Sequence, residues 1–400
     1  MRQRDPHGAA WQIALNAYTI LALGAVILAL GVAGAQSNAS ELKRPKLDPP
    51  GDTNSADVYY DFGIRVLKDK PAEAFRAFYW AARINPRMAS AYYARHIAGF
   101  WQKPSLFLDL MRRHRRGERN REVRALDSLA MKAILLDPFV APRLDHFFIE
   151  LIQLHLNHGR PFVPDIFDPG ERGWFALTQG RFYDAARDFA DASVQDPKDE
   201  EFHVQRATAL YYQGKFDGCV EELRRAMQAI DVRDGSRLVT VYASKAMYEY
   251  SAAHALLMAE DMSRAKEAYG RSATEDLSFY MAHVRLAAIA ALEKDTAAAL
   301  NEYETALQLR GDDPLVHYDY GVVLMQQGRY DEAIDQLHKA IELEPYFPQS
   351  YLALGVIEDS AGNEAKAREA LEAFVAHVHS TFPGLDRVKK RITDLRGGSI

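Results

Sequence analysis

A fixed register of small residues constrains this chain more than any other feature. Gly173, Ala185, Ala192 and Pro197 are separated by 12, 7 and 5 positions, and the same intervals join Gly321, Ala333, Ala340 and Pro345. They also join Ala287, Ala299, Ala306 and Gly311, then Ala253, Ala265, Ser272 and Leu277, then Ala207, Cys219, Ala226 and Asp231. One constant step separates Ala253, Ala287, Gly321 and Gly355 in turn, and the same step separates Gly173 from Ala207; only Ala207 to Ala253 is longer. A period of this length marks stacked helix pairs. Glycine or alanine at a crossing lets two helices approach closely, glycine in the turn ends the first helix, and proline cannot continue the second. Such an array grows in one dimension, so its 400 residues escape the size ceiling of a single core.

The turns repeat as well: Gln179-Gly180-Arg181-Phe182, Gln213-Gly214-Lys215-Phe216 and Gln327-Gly328-Arg329-Tyr330. Together with Tyr351, Leu354 and Gly355, which form an aromatic-x-x-Leu-Gly motif, these residues resemble the tetratricopeptide-repeat family. The resemblance implies an all-α, right-handed helical solenoid of about eight helix pairs. Six in-register units are expected within 166–380, preceded over 56–165 by divergent units. The earliest carries Tyr59, Phe62-Gly63, Ala74, Ala81 and Pro86, and a longer one between Pro86 and Pro138 holds an Arg-rich insertion at 102–124. Phe139 to Phe167 reads as a degenerate unit with one strong helix. Over 381–400, Leu385, Val388, Ile392 and Leu395 form one apolar stripe, which suits a helix capping the array.

The segment 1–35 reads differently. Arg2 and Arg4 precede a stretch that is apolar from Tyr18 to Ala35 apart from Thr19. Ala33-Gly34-Ala35 fits a signal-peptide cleavage site, while the length of the run, with Trp11 and Tyr18 as interfacial residues, fits a transmembrane anchor. Both readings place the remainder at the cell envelope, exported to a periplasm-like compartment or tethered to the membrane. The segment 36–55, rich in Pro, Asp, Ser and Asn, is expected as a flexible linker. A net charge of -6 argues against nucleic acid as a partner. Cys219 is the single cysteine, which excludes an internal disulfide framework, a multi-cysteine metal site and a lipid-modified cysteine beside a signal cleavage point.

Candidate sites divide into chemistry and docking. Cys219 replaces an alanine of the register and reads as a packed thiol. His146, His155 and His158, with Glu150 near them, form the one cluster from which a metal-dependent enzyme would be built, but a His-x-x-His pair without H-E-x-x-H is weak. No glycine-rich phosphate loop or nucleophile elbow accompanies it, so neither a catalytic constellation nor a cofactor is expected. Arg112, Arg113, Arg115, Arg116, Arg119, Arg121 and Arg124, set against Glu118 and Glu122, read either as a solvated helical protrusion or as a contact for an anionic protein or lipid headgroup.

The family resemblance also implies that the first helix of each unit lines a concave groove. The positions concerned include Trp174, Leu177, Val204, Thr208, Tyr211, Tyr250, His254, Leu257, Tyr318, Val322, Met325, Val356 and Asp359. Relatives that clamp a C-terminal carboxylate place Lys, Arg and Asn there, and this lining departs from that pattern. Its aromatic and aliphatic character points instead to an apolar or amphipathic protein segment. The expectation is a non-enzymatic adaptor, with a permanent subunit of a larger membrane-associated complex as the alternative.

Overall fold

The computed structural model describes residues 41–107, 121–155, 159–161, 163–233 and 244–397. Among them the chain is all-helical, with no strand. Its helices are α1 (Ala56–Val66), α2 (Pro71–Ile84), α3 (Ala89–Gln102), α4 (Arg121–Leu136), α5 (His146–His155), α6 (Pro169–Thr178), α7 (Phe182–Gln195), α8 (Glu200–Tyr212) and α9 (Phe216–Arg233). They continue with α10 (Lys245–Met258), α11 (Met262–Glu275), α12 (Tyr280–Leu292), α13 (Thr296–Leu309), α14 (Pro314–Gln326), α15 (Tyr330–Leu343), α16 (Pro348–Ser360), α17 (Glu364–His377) and α18 (Leu385–Gly397). A 3-10 turn spans Ala141–Arg143. The described chain forms two compact units, one of Tyr92–Asp276 and one of Ser40–Ala91 together with Leu277–Ile400.

In the Tyr92–Asp276 unit, α6 pairs with α7, α8 with α9 and α10 with α11, and successive pairs stack through α7 on α8 and α9 on α10. In the other unit the pairs include α12–α13, α14–α15 and α16–α17, with α18 packed on α17. Crossing positions of the register explain the closeness. Ala207, Cys219, Ala253, Ala265, Ala287, Ala299, Ala333 and Ala367 have no accessible surface. A Cβ added to Gly355 would fall 2.6 Å from the Leu371 side chain, so this crossing has no room even for alanine without movement of Leu371. Within the longer step from Ala207 to Ala253, α9 runs to 18 residues; 234–243 lie outside the described residues.

The turns inside the pairs from α6 onward end their first helices the same way. Arg181 N–H donates to the Ala176 carbonyl at 2.9 Å, Lys215 to Leu210 at 2.9 Å and Arg329 to Leu324 at 3.0 Å, while Gly180, Gly214 and Gly328 take φ of 70°, 72° and 72°. This is the six-to-one closure that satisfies helix-terminal carbonyls. Glu260 (φ 60°) and Lys294 (φ 64°) occupy the matching places without glycine. Aspartates supply the opposite ends: Asp168, Asp199, Asp261, Asp295 and Asp313 each accept a backbone N–H at an N-cap.

The linker expected over 36–55 is, from Glu41 onward, a packed segment of its unit. Leu47 is buried, Asp52 accepts the Ser380 N–H at 2.7 Å, and Asn54 donates to the Ala376 carbonyl at 2.9 Å. Arg44 lies 4.3 Å over the Trp80 ring, whose Nε1 donates to the Leu42 carbonyl at 2.8 Å. Polar composition suggested freedom, but the few apolar residues interspersed among the polar ones find burial. At the other end, Ile392 and Leu395 of α18 close over Ala367 and Leu371, and Leu385 over Phe374 and Val378. The apolar run of 1–35 lies outside the described residues; among those described, no helix is long and apolar enough to cross a membrane.

The turn geometry gives a direct test. No neighbour stands within 4 Å of a Cβ at Gly214 or Gly328, so Gly→Ala there should cost about 1 kcal/mol through backbone conformation alone. Glu260→Gly and Lys294→Gly should be neutral or stabilising by about 0.5 kcal/mol, because the strain relieved exceeds the chain entropy added. Urea unfolding of the four variants beside the parent would check both signs.

Candidate partner-binding face

In the Tyr92–Asp276 unit, the faces of α6, α8 and α10 where the sequence pointed to an open groove are covered by the chain itself. The last turn of α4 and the connection that follows it lie across them. Phe139 stacks on Tyr211 with ring centroids 3.9 Å apart and planes 13° from parallel. Tyr212 donates its hydroxyl to the Phe139 carbonyl, and Tyr250 donates to the Leu135 carbonyl at 2.5 Å. The 3-10 turn Ala141–Arg143 packs against α6, and the Arg143 guanidinium lies 5.7 Å over the Tyr212 ring. One carbonyl in the last turn of α4, one carbonyl in the connection after it and one ring are thus held by three tyrosines.

The expected groove residues separate accordingly. Trp174, Leu177 and Tyr250 are buried, at 4%, 0% and 0% exposure, and belong to the packed interior rather than to an accessible lining. Tyr211 and His254 are half-buried, 3.4 Å apart between Oη and Nε2, with Phe139 against both rings. His254 Nε2 also stands 4.0 Å from the Asp137 carboxylate. Leu257 is half-buried on the same helix. Burial pushes the Tyr211 hydroxyl up to about 12, helped by Asp137, so this phenol stays protonated and serves as a neutral hydrogen-bonding group.

Tyr318 and Met325 lie on α14 in the other unit, both half-buried. Here too the chain covers the face. Arg87, just beyond α2, pairs with Asp319 and lies 5.8 Å over the Tyr318 ring. Arg83 Nε stands 2.7 and 2.9 Å from the two carboxylate oxygens of Glu344, and its guanidinium sits 4.8 Å over Tyr346. Burial opposes the Arg83 charge, but Glu344 outweighs it and holds the guanidinium above its ordinary value. Val356 remains exposed, while Asp359 is taken up by a bidentate pair with Arg391 of the cap at 2.6 and 2.9 Å.

The remaining candidates are placed as follows. Arg112, Arg113, Arg115, Arg116 and Arg119 lie outside the described residues; Arg121 and Arg124 are exposed at the start of α4. His158 also lies outside them. His146 faces the Phe147 ring at 4.1 Å and His155 meets the Trp101 ring edge-on at 6.3 Å. Among the described residues no group of three His, Cys, Asp or Glu is placed to hold a metal. Cys219 is fully buried, and burial pushes its thiol up, away from the reactive thiolate.

The groove's occupant carries no signal in the sequence. Asp137-Pro138-Phe139 looks like the end of a repeat, as Asp196-Pro197 is, and nothing in its spacing says that it folds back over helices much later in the chain. Equally silent is the cavity of mixed lining beside this segment, to which His96, Glu201, Gln205 and Ser251 contribute. Burial raises the Glu201 carboxyl to about 7, opposed by the Gln205 amide and reinforced by Asp199 and Glu200.

Family models agree with the repeat architecture. Two models described as tetratricopeptide repeat match residues 290–345 and 318–377. A small glutamine-rich tetratricopeptide repeat-containing protein 2 from Mycosarcoma maydis is 32% identical over 81 residues, which is 20% of this chain and 22% of that protein. The chain therefore spans about a fifth of that relative's length. Among solved structures, YrrB, described as a TPR protein with an unusual peptide-binding site, is 19% identical over 52% of this chain and 100% of its own, with a TM-score of 0.41. The C-terminal part of a TPR repeat-containing protein from Cytophaga hutchinsonii is 15% identical over 56% of this chain and 84% of its own, with a TM-score of 0.44.

Two outcomes follow from burial and charge. Trp174→Ala should lower stability by about 3–5 kcal/mol, the cost of a core aromatic, as read by chemical denaturation. For Glu201, a raised folded pKa means that its contribution is fully present below the unfolded value and is lost as pH rises through about 7. Glu201→Gln should therefore gain on the parent by about 2–3 kcal/mol between pH ~5 and pH ~8.5, in paired urea titrations.

Proposed function

Residues 290–377 belong to the tetratricopeptide-repeat family, and from that premise we propose that the chain is a non-enzymatic scaffold that binds extended protein segments on the first-helix face of α6, α8 and α10. The observation that carries the reading is the seating of Phe139 on that face: the Tyr212 hydroxyl holds its carbonyl and the Tyr211 ring holds its side chain, while the buried Tyr250 anchors the last turn of α4 beside them. A partner displaces this segment and reuses its contacts, so it carries an apolar or aromatic side chain beside main-chain carbonyls free to accept. Flat aromatic stacking and neutral tyrosine donors tolerate varied sequences, because they read backbone and ring faces rather than charge. The apolar run Tyr18–Ala35 and Ala33-Gly34-Ala35 support a setting at the cell envelope, with the repeats exported or tethered.

Displacement can be measured. A fluorescent peptide copying residues 135–143 should bind the full-length Phe139→Ala chain at least about tenfold more tightly than the parent, since the internal competitor is weakened. Adding Tyr211→Ala to Phe139→Ala should abolish that gain. Equal, negligible binding by parent and Phe139→Ala would reject this face as the docking surface. Fractionation of cells expressing the tagged chain tests the envelope setting separately, and recovery in the soluble cytosolic fraction would reject it.

A further inference from the structure

Beside Phe139, within the Tyr92–Asp276 unit, lies a cavity of about 130 Å³ bounded by α3, α4, α8, α9, α10 and the segment after α4. Its walls are mixed. Ala130, Ile134, Val204, Leu223 and Met247 are apolar, whereas His96, Glu201, Gln205, Thr208 and Ser251 bring polar atoms. The polarity is lopsided. Thr208 donates its hydroxyl to the Val204 carbonyl, Ser251 to the Met247 carbonyl, and Tyr93 to Asp145, so these donors are engaged. Gln205 donates to Glu201. His96 is fully buried with Nδ1 2.8 Å from the Leu126 carbonyl, which can only accept, so the proton sits on Nδ1 and Nε2 is a bare acceptor. Among the described residues no hydrogen-bond partner meets that Nε2. Desolvation drops the His96 pKa to about 4, which keeps the ring neutral at physiological pH and the lone pair available.

A cavity with acceptors left over and donors engaged calls for a guest that donates. Buried polar atoms are satisfied in native proteins, and an unmet acceptor is costly to bury. The neighbouring carboxylate asks for positive charge, and the aliphatic wall asks for hydrocarbon. Volume sets the size: a cavity of about 150 Å³ accepts benzene, so about 130 Å³ fits five or six heavy atoms. We propose that this cavity binds a small primary alkylammonium ion, its ammonium directed to Glu201 and His96 and its chain packed against Ile134, Leu223 and Met247. Water fills such spaces too, but it leaves the carboxylate charge unmatched and the aliphatic wall wet. This site is separate from the tyrosine contacts that carry the docking face.

Three probes of matched size decide the matter on the full-length chain, at pH ~8 where Glu201 is ionised. n-Butylamine should raise the melting temperature in a dose-dependent way, whereas butan-1-ol and butyrate should not. In Glu201→Gln, which keeps the side-chain volume, butylamine affinity should fall about tenfold relative to the parent. Magnetisation transfer from the butylamine methyl to Ile134 and Leu223 methyl groups places the guest independently of any variant. Equal effects of amine and alcohol, undiminished binding by Glu201→Gln, or no transfer to those methyl groups at saturating butylamine would overturn the proposal. Pro138, Phe139, Ala141 and Pro142 form one wall of the cavity, so the readouts are taken with that segment seated and no docking partner present; failure of amine binding then leaves the peptide-displacement result untouched.

Discussion

Close approach of two helices at a residue with almost no side chain is the constraint from which the rest of this structure follows. Where Gly355 meets Leu371, or the fully buried Ala253 and Ala265 sit within the α10–α11 pair, the axes come near enough that any larger group would separate them. That contact fixes the angle within each pair. The angle within a pair, together with the turn closed by a left-handed residue, fixes where the next pair can stack. Dispersion across many such crossings then accumulates into a core without a centre, distributed along the chain.

One consequence is that stability is local while the binding chemistry is not. A pair such as α8–α9 is specified by neighbours within a single repeat, yet its first-helix face is covered by Phe139, contributed by a segment two repeats earlier. The other unit repeats the arrangement with Arg83 and Arg87, whose partners Glu344 and Asp319 lie far along the chain, near its other end. Closing such contacts costs loop entropy that grows only slowly with length, so a long detour is tolerated if the final contact is good. Charge-assisted arginine–carboxylate pairs and flat ring stacks meet that requirement.

The two kinds of cover differ in how easily they yield. Arg83 with Glu344 is partly buried and charge-assisted, and breaking it strands a carboxylate. Phe139 on Tyr211 is a neutral stack beside one Tyr212-to-carbonyl bond, both of which a peptide of like shape reproduces. That asymmetry is why the α6–α8–α10 face, rather than the α14 face, is proposed as the place where a partner enters. It also explains why aromatic residues at matching positions did not all serve one purpose. Trp174 and Tyr250 fill the interior, while Tyr211 meets the segment that lies over it.

The all-helical repeat, its crossing residues and its turn positions were legible in the sequence, because each depends on contacts between residues close in the chain and a period makes them visible. Cys219 as packed thiol and Leu385–Leu395 as the stripe closing the last pair were legible for the same reason. Tertiary structure alone decided which faces are open. The packing of 41–55, the return of Leu135–Arg143 over three later helices and the cavity lined by both His96 and Glu201 join residues with no common period. Periodicity records which way a side chain points from its own helix. It carries no information about what arrives on the other side, and in this protein that is a second stretch of the same chain.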